Sequence, residues 1–154
     1  MSGWRFVITR LFFLFICILS VFASISYVHA EDKDKIKQEA PMNLTGAKTI
    51  TAVDVINLID ELPQTIIIDS RLNDRPQGYI EGSINLADID TTCNSLADII
   101  KTLSSPVIFY CNGVKCRRSE KAVKVAVSCG YNHIYWYRSG CEDWIKQGYP
   151  YLTN

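Results

Sequence analysis

With 154 residues, 48% of them hydrophobic and 21% charged, the chain is long enough for one packed domain and too short for two. Its 16 basic and 16 acidic side chains balance overall; without the first 30 residues, which hold Arg5 and Arg10 and no acid, 14 basic residues face 16 acidic ones. That mild acidity excludes the broad basic face that nucleic-acid binding requires.

Arg5 and Arg10 precede an uncharged apolar run from Leu11 to Val28, and Val28-His29-Ala30 offers a cleavage site. This is the layout of a secretory signal peptide over residues 1–30. The same run of 18 residues is long enough to stay as a membrane anchor if it is not cleaved. The expectation is therefore an exported, periplasmic protein, touching a membrane only through its N-terminal segment. Residues 31–48 are polar, alternate in charge and contain Pro41 and Gly46, which reads as a flexible linker. The folded part is expected over residues 49–154.

From there strands and helices alternate. Thr51 and Asp54 form a helix-capping pattern, and Val55, Ile56, Ile59 and Leu62 follow at helical spacing. Thr65 to Ile68 is a short β-branched run suited to a buried parallel strand. Ser83 to Leu86 is a second strand, and a helix from Ser95 to Leu103 stops before Pro106. Val107 to Tyr110 is the next strand, followed by a helix from Ser119 to Cys129 that ends at Gly130. Ile134 to Tyr137 is a strand, and Glu142 to Gln147 a last helix ended by Gly148. This alternation predicts an open, mostly parallel α/β sheet flanked by helices, with ligands bound beyond the carboxyl ends of its strands.

Cys111 lies at such an end. The loop Cys111-Asn112-Gly113-Val114-Lys115-Cys116-Arg117-Arg118 joins a buried strand to a helix start, where unpaired N–H groups and the helix dipole favour an anion. Lys115 and Arg117 or Arg118 add positive charge, so Cys111 is expected to ionise readily and act as a nucleophile on an anionic substrate. The competing reading of Cys111 is a small buried hydrophobe. Cys116 has two readings of its own: a resolving thiol for Cys111, or a residue packed inward at the helix start. Beyond the leader the chain has five cysteines, an odd number, so at least one thiol is free or pairs with another chain. Cys129 reads as a core residue, while Cys93 and Cys141 could bridge. No metal or other cofactor is expected: His133 is the last histidine left, and no Cys-x-x-Cys pair exists.

Three blocks between Thr51 and Leu152 resemble the rhodanese-like, or sulfurtransferase, family. The first is Ile66-Ile67-Ile68-Asp69-Ser70-Arg71, similar to its strand ending in Asp-x-Arg. The second is Gly78-Tyr79-Ile80-Glu81-Gly82-Ser83-Ile84-Asn85, close to its Gly-His-Ile-x-Gly-Ala-x-Asn signature, with Tyr79 in place of His. The third is the cysteine loop with Ile134 to Gly140 and Trp144 after it. The resemblance implies a rhodanese-like sheet and a persulfide on Cys111. It also implies a small anionic sulfur donor such as thiosulfate, and a thiol acceptor or redox partner protein. Asp69 and Arg71 are candidate supporting residues, each equally readable as a structural cap or pair. The loop is longer than the usual one, because Arg118-Ser119 lies seven and eight positions after Cys111. Counted to Arg117, the spacing resembles the phosphatases and arsenate reductases of the same fold. Oxyanion chemistry, thiol redox work by Cys111 and Cys116, and a carrier or interaction module without turnover are therefore the alternatives.

Overall fold

The computed structural model describes residues 38–73 and 75–153. The expected leader, residues 31–37 of the expected linker and Asp74 lie outside the described residues. Five short strands form one parallel sheet in the order β1-β6-β5-β2-β4. They are β1 (Lys48–Thr49), β2 (Ile66–Asp69), β4 (Ile84–Asn85), β5 (Val107–Tyr110) and β6 (Ile134–Tyr137). The helices are α1 (Ala52–Glu61), α2 (Cys93–Ile99), α3 (Arg118–Ser128) and α4 (Gly140–Lys146). A separate antiparallel pair joins β3 (Tyr79–Ile80) to β7 (Tyr151–Leu152).

The sheet is buried on both faces because every central strand is apolar on both. Val107 and Phe109 of β5 pack with Leu96 and Ile100 near α2, Ala122, Val123 and Ala126 of α3, and Trp136. Ile108 and Tyr110 point the other way, into a cluster with Val55 of α1, Tyr137, and Cys141 and Trp144 of α4. Each such aliphatic or aromatic side chain contributes about 1.5–3 kcal/mol on burial.

The expected strands and helices all form, with shifted ends. The Thr51 and Asp54 capping box starts α1 as read. The second helix begins at Cys93, two residues before the expected Ser95, because Thr92 and Ser95 make a capping box of their own. It ends at Ile99, where Ile100 turns extended, well short of Leu103. Residues 39–48, read as linker, pack on the domain: Ala40 and Leu44 are buried, and the packed unit starts at Glu39. Cys129 is not a free core residue, and Cys93 does not bridge to Cys141. A disulfide joins Cys93, at the start of α2, to Cys129, at the end of α3, while Cys141 stays a buried thiol.

Candidate active site

The register of β5 decides where Cys111 points. Phe109 faces α3, Tyr110 faces α1, and Cys111 therefore turns back toward α3. There the Ser119 hydroxyl, one residue into α3, donates to Cys111 Sγ at 3.1 Å, and Trp136 Nε1 donates to Ser119 Oγ at 3.0 Å. Cys111 Sγ itself donates to the Cys116 carbonyl at 3.0 Å. With 1% of its surface exposed, Cys111 is closed off at rest.

Helix α4 sets the direction of the loop. Cys141 N–H donates to the Cys111 carbonyl at 2.9 Å, and Glu142 N–H to the Asn112 carbonyl at 2.7 Å. This approach needs Gly140, at φ +61°, because a Cβ there would run into the backbone of Cys111 and Asn112. In a planar trans peptide the N–H points opposite to the C=O. With the carbonyls turned to α4, the Asn112 N–H is aimed the other way, at the sulfur of Cys116. The Cys116 N–H closes the turn on the Gly113 carbonyl at 2.8 Å, and the Val114 carbonyl accepts from Ala40 N–H at 2.8 Å. Arg138 holds that incoming segment through the Ala40 and Pro41 carbonyls at 2.8 Å each.

The more acidic sulfur is a different one from that expected. The neighbouring Cys111 side chain pulls the Cys116 thiol down to about 6 against its burial. The backbone N–H groups of Arg118 and Asn112 and the charge of Arg118 act in the same direction. Cys111 is pushed up, first by the Cys116 side chain and then by burial. Of the pair, Cys116 is the more readily ionised: the Asn112 and Arg118 N–H groups converge on it, while the more deeply buried Cys111 receives the Ser119 N–H and hydroxyl.

The loop cations are divided. Arg117 is exposed and bonds Glu120 at 2.6 Å, on its own helix. Arg118 pairs with the buried Asp88, which also receives Lys121 at 3.3 Å, and it is the arginine whose charge bears on Cys116. Lys115 is exposed. The Asp69 carboxylate is fully buried, accepting from Arg71 Nη2 at 2.6 Å and from the Tyr110 hydroxyl at 3.0 Å. Arg71 continues to the Gly78 carbonyl at 2.8 Å and to Asn112 Oδ1 at 3.2 Å. Asp69 and Arg71 thus brace the loop from behind and stay remote from the sulfur's own hydrogen bonds.

Two hydroxyls escaped the sequence reading. Ser119 was legible only as the partner of Arg118 in a motif; its place in the first turn of α3 was the available signal. Ser70 follows β2, and its N–H donates to the Tyr110 carbonyl at 2.9 Å, which registers it beside Cys111 on the same face of the sheet. It is fully buried, and among the described residues its Oγ has no hydrogen-bond partner. Among the described residues no group of three or more His, Cys, Asp or Glu side chains is placed to hold a metal ion.

The model of the rhodanese-like domain matches residues 51–147, most of the chain. The chain belongs to the rhodanese-like family. Its domain is 25% identical over 104 residues to the uncharacterised protein YibN of Escherichia coli K12, covering 67% of this chain and 71% of that one. A thiosulfate sulfurtransferase from Pseudomonas aeruginosa shares the fold, with a TM-score of 0.60 and 21% identity over 70% of this chain. The present chain spans only 20% of that larger protein. The polysulfide-sulfur transferase homodimer of Wolinella succinogenes superposes at a TM-score of 0.58, with 22% identity, covering 71% of this chain and 80% of its own. The rhodanese-like fold of this domain thus has sulfur-transferring proteins among its structural neighbours.

Proposed function

We propose that this chain is an exported sulfurtransferase that carries sulfane sulfur as a persulfide on Cys111. The observation behind this reading is the position of one sulfur. Cys111 follows the central strand, receives the Ser119 hydroxyl at 3.1 Å and lies beside Cys116, whose thiol the loop amides make more acidic. Covalent sulfur transfer needs an activatable thiol and fixed donors for the anion that forms, and both are built into this loop. In the first step Cys111 passes its proton to Cys116, and its thiolate attacks the outer sulfur of a donor such as thiosulfate. The S–S bond of the donor breaks, sulfite leaves with the electron pair, and the outer sulfur stays on Cys111.

Wide-loop oxyanion chemistry draws less support. Its loop arginine is Arg117, which is turned outward onto Glu120, and Asp69 is committed to Arg71 and Tyr110 and unavailable as an acid. Export is supported by the Cys93–Cys129 disulfide, a bond that persists in oxidising compartments. Incubating the protein with thiosulfate and weighing its peptides tests the function. A gain of one sulfur, about 32 Da, confined to the Cys111 peptide is expected. No gain with thiosulfate, polysulfide or a persulfide donor removes sulfur transfer as the activity.

A further inference from the structure

The second cysteine of the loop suggests where the sulfur goes next. We propose that Cys116 is an internal acceptor: it resolves the Cys111 persulfide by forming a Cys111–Cys116 disulfide and expelling sulfide, so that the partner needed for turnover is a dithiol reductant. The inference rests on the persulfide reading above and extends it to the product and the partner.

Three observations carry it. The loop folds back on itself, with the Cys116 N–H on the Gly113 carbonyl at 2.8 Å and Cys111 Sγ on the Cys116 carbonyl at 3.0 Å. This brings residue 116 onto the sulfur that would carry the persulfide. The Asn112 and Arg118 amides converge on Cys116 and lower its pKa, which readies the group beside Cys111 to act as a nucleophile. The two sulfurs differ in access: Cys111 is buried, whereas Cys116 is only half buried.

The chemistry balances without an added oxidant. The proton that Cys116 received in the first step returns to the outer sulfur of the persulfide. The Cys116 thiolate then attacks Cys111 Sγ, the S–S bond of the persulfide breaks, and hydrosulfide leaves with its electron pair. Each cysteine sulfur is oxidised by one electron, and the sulfane sulfur is reduced by two. Recovery takes a dithiol, which attacks the more accessible Cys116 sulfur, frees Cys111 and departs as its own disulfide.

The test uses the full-length protein, reduced, freed of reductant and given thiosulfate with no added thiol. One equivalent of sulfide per chain is expected, with a Cys111–Cys116 disulfide in the peptide map that is distinct from Cys93–Cys129. The Cys116→Ser protein is expected to stall as the persulfide and release no sulfide until a thiol is added. The wild-type map decides even if that variant loads poorly. A persulfide that persists on wild-type Cys111 beside an alkylatable Cys116 overturns internal resolution while leaving sulfur transfer intact. Sulfide release by Cys116→Ser at the wild-type rate does the same. Absence of any sulfur uptake by the wild type overturns both readings.

Discussion

The chain holds two cysteine pairs that differ in almost every physical respect. Cys93 and Cys129 lie 36 residues apart in sequence, at the outer ends of α2 and α3, with Cα atoms 5.5 Å apart and a closed bridge. Cys111 and Cys116 lie five residues apart in one loop, hydrogen-bonded yet reduced. The first pair ties two helices to each other. The second sits where amides, a hydroxyl and a guanidinium favour a negative sulfur. A cysteine's role is thus set by the donors around its sulfur, and proximity to a second cysteine does not decide it.

Replacing one member of each pair should separate these roles. Cys111→Ser is expected to abolish sulfur uptake from thiosulfate, with the thermal midpoint little changed. Cys93→Ala should do the reverse, costing about 3–4 kcal/mol of stability in a denaturant titration, because a long loop is no longer closed in the unfolded chain. Retained uptake in the first variant, or lost uptake in folded protein of the second, would erase the distinction.

The braces behind the loop sharpen the same comparison at smaller scale. Asp69→Ala leaves the Arg71 guanidinium buried and uncompensated, and a loss of about 3–5 kcal/mol is expected in urea unfolding. Ser119→Ala removes a donor from Cys111 and orphans Trp136 Nε1, at a cost of about 1–3 kcal/mol, with slower sulfur loading as the readout that packing alone would not give. Glu120 gives the mildest effect. Arg117, and then Lys124, hold its carboxyl at about 2, below its ordinary 4.5. A depressed carboxylate stabilises the fold fully above its ordinary pKa and loses that contribution as pH falls from 4.5 through 2. Glu120→Gln should flatten the stability curve over that window, lowering stability near neutrality, where the carboxylate's contribution is fully present, and changing it least at acid pH.

Much of this was legible in the sequence, and the reasons are specific. Val107 to Tyr110 and Ile134 to Tyr137 are short runs apolar on both faces, which only a covered parallel strand accommodates. The Cys111 loop was found because a strand end, a glycine and clustered cations are local features. What was missed depends on distant backbone. The two-residue strands β1, β3 and β7 exist through their pairing partners and have no pattern of their own. The Cys93–Cys129 bridge requires α2 and α3 to be placed side by side first. The ionisation of Cys111 was misjudged because the loop's amides could not be aimed from sequence. Their direction comes from α4, a helix 30 residues downstream of the cysteine, through its bonds to the Cys111 and Asn112 carbonyls.

The order in which the loop thiols ionise can be measured directly by alkylating the reduced protein across pH and reading each cysteine by peptide mass. The account predicts that Cys116 labels first, with a midpoint near 6, while Cys111 stays unreactive through neutrality. Preferential labelling of Cys111, or labelling of both thiols only at the alkaline pH of free cysteine, would contradict it.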